Sequence, residues 1–144
     1  MNEKLLYRTA YTGTKSFTQQ DVKTANATGF GAAADDFMER GIDLNEELIN
    51  NKAATYFFRM NSDAMEQVGI FKGDVLVVDR SLKLLNGKVI VAAVNGELIV
   101  RRFEKELNKA TLSATNKKFK DIVLDEFTEF NCWGMITYVI HRVN

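Results

Sequence analysis

Several residue types are scarce or missing in this 144-residue chain. It has no proline, where average usage of about 5% would supply several, and nothing else in the sequence accounts for that. One cysteine, Cys132, excludes an internal disulfide and fits a reducing compartment. One histidine, His141, leaves too few ligands for a zinc site of His/Cys type. The two flank what reads as one continuous strand, and nine residues at roughly 3.3 Å each set them about 30 Å apart, too far for a Cys–His dyad. A Ser-His-Asp triad would have to use His141, and no serine sits in a nucleophile elbow. There is no phosphate-binding loop, dinucleotide fingerprint or calcium-binding loop, and nothing calls for a metal or a cofactor. No charge of one sign is in excess: Lys+Arg and Asp+Glu both number 19, so the basic imbalance expected of a DNA-binding domain is missing. No apolar run is long enough to span a bilayer, and the start, MNEKLLYRTAYTG, turns polar too soon for a signal peptide. The expected location is the cytoplasm, away from any membrane.

What is present suits one domain. With 46% hydrophobic residues the chain can bury its own core. Residues Met1 to Thr28 show little periodicity, and Tyr7, Tyr11 and Phe17 are scattered among polar residues, so this part reads as a flexible arm. Ala32 to Arg40 has the pattern of a short helix ended by Gly41. A second should begin at Asp43, where Asp43 and Glu46 have capping-box spacing and Leu44, Leu48 and Ile49 form an apolar face. From there on the chain reads as strands: Thr55 to Arg59, Val75 to Asp79, Lys88 to Val94, Glu97 to Phe103, Ala110 to Ser113, Ile122 to Leu124 and Trp133 to Val143. Asn95-Gly96 is a strong hairpin signal of type I′, and Asn86-Gly87 marks another turn. Lys117-Lys118-Phe119-Lys120 reads as a solvated loop. The fold class is therefore mainly antiparallel β with short helices in front, and no repeat of solenoid period occurs.

Phe57 to Asp79, FFRMNSDAMEQVGIFKGDVLVVD, organises the rest. An apolar run feeds the polar turn Asn61-Ser62-Asp63. A short helical piece starts at Ala64 and ends at Gly69, and the Gly73-Asp74 turn leads into a strand rich in valine. A small residue followed by Met65 at a helix start is a device for presenting a side chain beside free backbone N–H groups. The side chain presented is that of Ala64, which has nothing to react with.

Asn61-Ser62-Asp63-Ala64-Met65 resembles the Ser-Gly-Asp-Ser-Met signature of the LexA/UmuD self-cleaving serine peptidases. The likeness continues through Gly69-Ile70, Gly73-Asp74, Val77-Val78-Asp79, Gly87-Lys88-Val89-Ile90-Val91-Ala92-Ala93-Val94 and Gly96-Glu97. Ala33-Ala34-Asp35, Ile42-Asp43-Leu44-Asn45 and Ala54-Thr55-Tyr56-Phe57 resemble the UmuD branch in particular. The resemblance runs from Gly29 to the C-terminus. It implies the antiparallel β fold of the LexA/UmuD C-terminal domain behind an extended N-terminal arm, with an arm of residues 1–28 and a Ser-Lys peptidase-like domain of residues 29–144. LexA-type repressors carry a DNA-binding domain ahead of this one, and the stretch before Gly29 is too short for a helix-turn-helix domain, so no direct sequence-specific DNA binding is expected.

The resemblance further implies a homodimer, a cut in the arm between Thr28 and Gly29 stimulated by RecA filaments on single-stranded DNA, and partnership of the cut form with a UmuC-like translesion polymerase. A stand-alone regulator of LexA type is the alternative. A signal-peptidase-like protease shares the chemistry but needs a membrane anchor. In the family a serine attacks and a lysine takes its proton, which requires the lysine to be neutral in an apolar setting that lowers its pKa from about 10.4. The nucleophile position here is Ala64. The base position is Arg101, on a strand face with Ile99 and Phe103, while Leu98 and Val100 occupy the opposite face. Alanine carries no nucleophile, and a guanidinium stays protonated in proteins and cannot accept the proton. Both residues are close in shape to those they stand for, as in a site inactivated by engineering or in a natural pseudo-peptidase. Ser62 falls where the family has glycine and would still lack a neutral base. Thr28 is also larger than the Ala or Cys usual before the cut. As written, the chain is expected to keep its arm uncut.

Overall fold

A computed structural model describes residues 6–9 and 41–144. The chain divides into two compact units, Tyr11–Asn50 and the remainder, Met1–Ala10 with Asn51–Asn144. The expected helix over Ala32 to Arg40 and the Thr28–Gly29 bond lie outside the described residues. In the smaller unit, helix α1 spans Leu44–Leu48, with Asp43 as N-cap accepting the Asn45 N–H at 2.9 Å. The cap bond thus goes to the second residue of the helix and not to Glu46 as the expected capping box requires, and no residue of the single turn is buried, so the predicted apolar face is not a core face.

The larger unit is one eight-stranded antiparallel sheet in the order β1-β2-β3-β8-β4-β5-β6-β7. The strands are β1 (Leu6–Thr9), β2 (Thr55–Arg59), β3 (Val75–Asp79), β4 (Val89–Val94), β5 (Glu97–Glu106), β6 (Lys109–Ser113), β7 (Ile122–Leu124) and β8 (Phe130–Ile140). The antiparallel β class expected from the sequence is borne out. Three differences have physical causes. Leu6–Thr9, read above as part of an unstructured arm, adds to the edge of β2 with Leu6 opposite Arg59; four residues without alternation give no periodic signal. β8 begins and ends three residues before the expected limits, because its partners set them: Phe130 faces Val94, the last residue of β4, and Ile140 faces Val75, the first of β3. β5 runs on to Glu106 because β6 continues to pair with it, Glu106 opposite Lys109.

The central strands are buried on both faces. Along β4, Val91 joins one core cluster with Phe58, Met60, Met65, Leu76, Val78 and Val100, while Ile90, Ala92 and Val94 join another with Ile99, Phe103, Leu112 and Met135. This is why β3 and β4 read as nearly continuous apolar runs rather than as alternating strands. The β4–β5 connection is the predicted type I′ turn, with φ of 48° at Asn95 and 84° at Gly96. Strand β8 carries two bulges. At the first Trp133 is the extra residue between the pairs Val91–Gly134 and Ala92–Cys132, and its carbonyl accepts from Arg80 Nε at 2.9 Å. At the second Thr137 is extra between Val77–Tyr138 and Val78–Ile136, and its hydroxyl donates to the Val77 carbonyl at 3.2 Å.

Candidate active site

The site grows from the end of β2. Met60 extends the β2–β3 ladder by one residue, its N–H donating to Asp74 O at 2.8 Å and its carbonyl accepting from Gly73 N–H at 2.7 Å. This closes a loop over residues 61–72. Asp74 holds the far side: Oδ2 accepts the Phe71 N–H at 2.8 Å, and Oδ1 lies 2.6 Å from His141 Nδ1. His141 thus ties the segment after β8 to the turn before β3. Its ring also lies 5.1 Å from that of Phe71.

Within the loop, Ala64 and Met65 are completely buried. The helical piece is shorter than expected, a single 3₁₀ turn over Glu66–Val68 ended by Gly69 at φ 86°. Three residues of 3₁₀ helix form no helix N-terminus of the kind anticipated; backbone bonding from outside the loop fixes the position instead. The Ala64 carbonyl accepts the N–H groups of Thr115 and Asn116 at 2.9 and 3.1 Å, and the Thr115 hydroxyl at 3.3 Å. The Ser62 hydroxyl is also buried and is turned toward the backbone, accepting the Ala64 N–H at 3.5 Å.

Arg101 stands on β5 opposite Ile90 and is only 2% exposed. Strand alternation places it with Ile99 and Phe103, both of the second cluster, as read from the sequence. Its Nη1 donates to the Val100 carbonyl at 2.8 Å, and the guanidinium lies 5.2 Å from the centre of the Phe119 ring. Phe119 in turn packs against the cluster that contains Ala64. The fold therefore buries both sequence-predicted positions, with Phe119 between Arg101 and the cluster to which Ala64 belongs.

A family model described as Peptidase S24-like matches residues 22–137. Protein ImpA of Salmonella typhimurium is 35% identical over 115 residues, which cover 79% of this chain and 77% of that protein. Protein MucA of Escherichia coli is 34% identical over 113 residues, 78% of this chain and 77% of that protein. The LexA repressor of Colwellia psychrerythraea is 34% identical over 115 residues, 79% of this chain but 54% of the repressor. The chain belongs to the S24 peptidase family. The resemblance to the LexA/UmuD peptidases read from the signature around Ala64 is thereby borne out.

The structure has buried alanine and arginine at the two positions to which the resemblance assigns a nucleophile and a base. The sequence reading named these two residues but not those packed around them. Thr115 and Asn116 gave no signal, since neither belongs to a periodic element. Phe119 was visible only as an aromatic among lysines; Lys117, Lys118 and Lys120 are exposed as expected of a solvated loop, and Phe119 turns inward. Cys132 packs at the margin of the second cluster, as a small apolar residue would. Burial pushes its thiol pKa up, and a hydrogen bond with the Gly134 backbone offsets part of that rise. Among the described residues no group of three or more His, Cys, Asp or Glu could hold a metal ion, and no helix is long and apolar enough to cross a membrane.

Proposed function

We propose that this chain is a UmuD-like protein of the SOS response: a cytoplasmic homodimer whose form lacking residues 1–28 is the accessory subunit of an error-prone translesion DNA polymerase. In this reading Ala64 and Arg101 disable its Ser-Lys self-cleaving site, and it remains uncut between Thr28 and Gly29 even when RecA filaments are present. The observation that carries the reading is a nucleophile position and a base position, Ala64 and Arg101, both buried to 2% exposure or less in a family frame, with neither residue able to do the chemistry. A cation so deeply buried is costly unless held by partners. Burial of this depth beside a core is also the setting that would keep a lysine neutral. Similarity over about three-quarters of ImpA and of MucA supports the UmuD-like reading.

Restoring Ala64→Ser together with Arg101→Lys should produce a cut between Thr28 and Gly29, read by intact-mass spectrometry. The rate should rise with pH from 7 to 10, because only the deprotonated lysine accepts the serine proton. Either substitution alone should leave the chain whole, since each supplies half of the pair. A double variant that stays intact across that range overturns the peptidase assignment. The partner is tested separately: the chain beginning at Gly29 should co-purify with a UmuC-like polymerase, and failure to associate would favour the stand-alone regulator.

A further inference from the structure

The loop between β6 and β7 grips both halves of the site. At its start, Thr115 N–H, Asn116 N–H and the Thr115 hydroxyl converge on the Ala64 carbonyl, and Thr115 Oγ1 is 3.2 Å from Gln67 N–H, which donates to it. The Asn116 side chain donates from Nδ2 to the Asp63 carbonyl at 3.2 Å and to Glu66 Oε1 at 3.4 Å. Its Oδ1 accepts Lys118 N–H at 3.0 Å, and its carbonyl accepts Phe119 N–H at 3.0 Å. Asp121 Oδ1 closes the loop by accepting Ala114 N–H at 3.3 Å. Asn116 therefore spends its backbone and side chain on both sides at once. Outward it holds the turn on either side of Ala64, and inward it sets the bend that puts Phe119 under Arg101.

We propose that this loop is a positioning clamp for the dyad, with Asn116 fixing the nucleophile turn and Phe119 forming the floor of the base position. The proposal rests on the peptidase reading above only for its catalytic consequence. A carbonyl that accepts three hydrogen bonds from one loop fixes the plane of the peptide that joins residues 64 and 65. The Met65 N–H on the opposite side of that peptide, and the direction of the side chain at 64, are fixed with it. Asn116 acts through the backbone around position 64, and Phe119 through the surroundings of the group at position 101. Misplacement of a nucleophile by about 1 Å can cost about a hundredfold in rate, so a clamp on the backbone has leverage out of proportion to its hydrogen bonds. The floor acts differently, by keeping water from the amine.

Two measurements test this. In the chain as it stands, Asn116→Ala should speed amide hydrogen exchange over Asn61 to Glu66 by about tenfold or more, with β4 and β8 unchanged. Exchange that is unchanged in the turn, or raised evenly across the sheet, overturns the clamp whether or not the restored dyad cuts. In the Ala64→Ser, Arg101→Lys background the two residues should give separate signatures. Asn116→Ala should lower the cleavage plateau about tenfold or more without moving the midpoint of the pH–rate profile. Phe119→Ala should move that midpoint to higher pH, because water reaching the amine favours its charged form, and Phe119→Tyr should restore it. Rates that fall only in proportion to the unfolded fraction, with the profile unmoved in both, assign the loop a purely structural role and sink the proposal.

Discussion

At single positions, the chain combines buried polar groups with close contacts. Arg101 and Asp74 are charged and buried, at 2% and 3% exposure, and each is held by specific partners: Arg101 by the Val100 carbonyl and the Phe119 ring, Asp74 by Phe71 N–H and His141. Gly134 shows the opposite constraint, one of space. It sits on β8 beside the Trp133 bulge, and a methyl group there would meet Val78 Cγ1 at 2.6 Å and Arg80 Cγ at 3.4 Å. Val78 is fully buried and β-branched, with one stiff rotamer, so it cannot swing aside as a long surface chain could. Arg80 is further committed through Nε to the Trp133 carbonyl, with its guanidinium 4.2 Å from the centre of the Trp133 ring. Gly134→Ala should therefore destabilise the protein by about 1–3 kcal/mol through overpacking, read as a lower urea midpoint at unchanged slope. A variant as stable as the parent would show that β3 and β8 can move apart at this point.

Among the elements, legibility followed the strength of the local signal. β2, β3 and β7 form over the residues expected, because aromatic and β-branched residues bounded by turn signals settle a strand locally. The Asn95-Gly96 turn was equally plain, since only a primed turn suits those two residues in that place. What could not be read locally was whatever a partner decides. The limits of β8 are those of β3 and β4, β1 exists only by its pairing with β2, and both bulges arise where β8 must match two neighbours with different registers. The site divides the same way. Ala64 and Arg101 stood out because the resemblance assigns them the nucleophile and base positions. Thr115, Asn116 and the inward turn of Phe119 did not, because their roles depend on contacts with residues some fifty positions earlier in the chain. The helical presentation of Ala64 was misread for a related reason. Gly69 stops the helix after three residues, and the support for position 64 comes from the distant loop instead.

In the larger unit as a whole, β8 is the seam. It pairs with β3 on one side and β4 on the other, so it alone joins β1-β2-β3 to β4-β5-β6-β7 within the sheet. The bond from Thr137 to Val77 crosses 60 residues of sequence, and such non-local pairing carries a loop-closure cost before it yields any contact. The hairpins β4–β5 and β5–β6 are local and can form early; the sheet is completed only when the last strand inserts between two edges already in place. Met135 and Phe130 then complete one core, while Ile136, Val139 and Trp133 complete the other. Trp133 does so through edge-on contacts with Tyr56 and Phe58, at 5.1 and 4.9 Å between ring centres. A chain ended before Phe130 keeps Ala64, Arg101 and the loop that holds them, yet loses the strand that makes one sheet of the two parts. It should melt without a cooperative transition, and its slope in urea should fall well below that of the full chain, since the slope scales with the surface buried. Retention of a sharp transition with the full slope would mean that the parts associate through their cores alone and that the seam is dispensable.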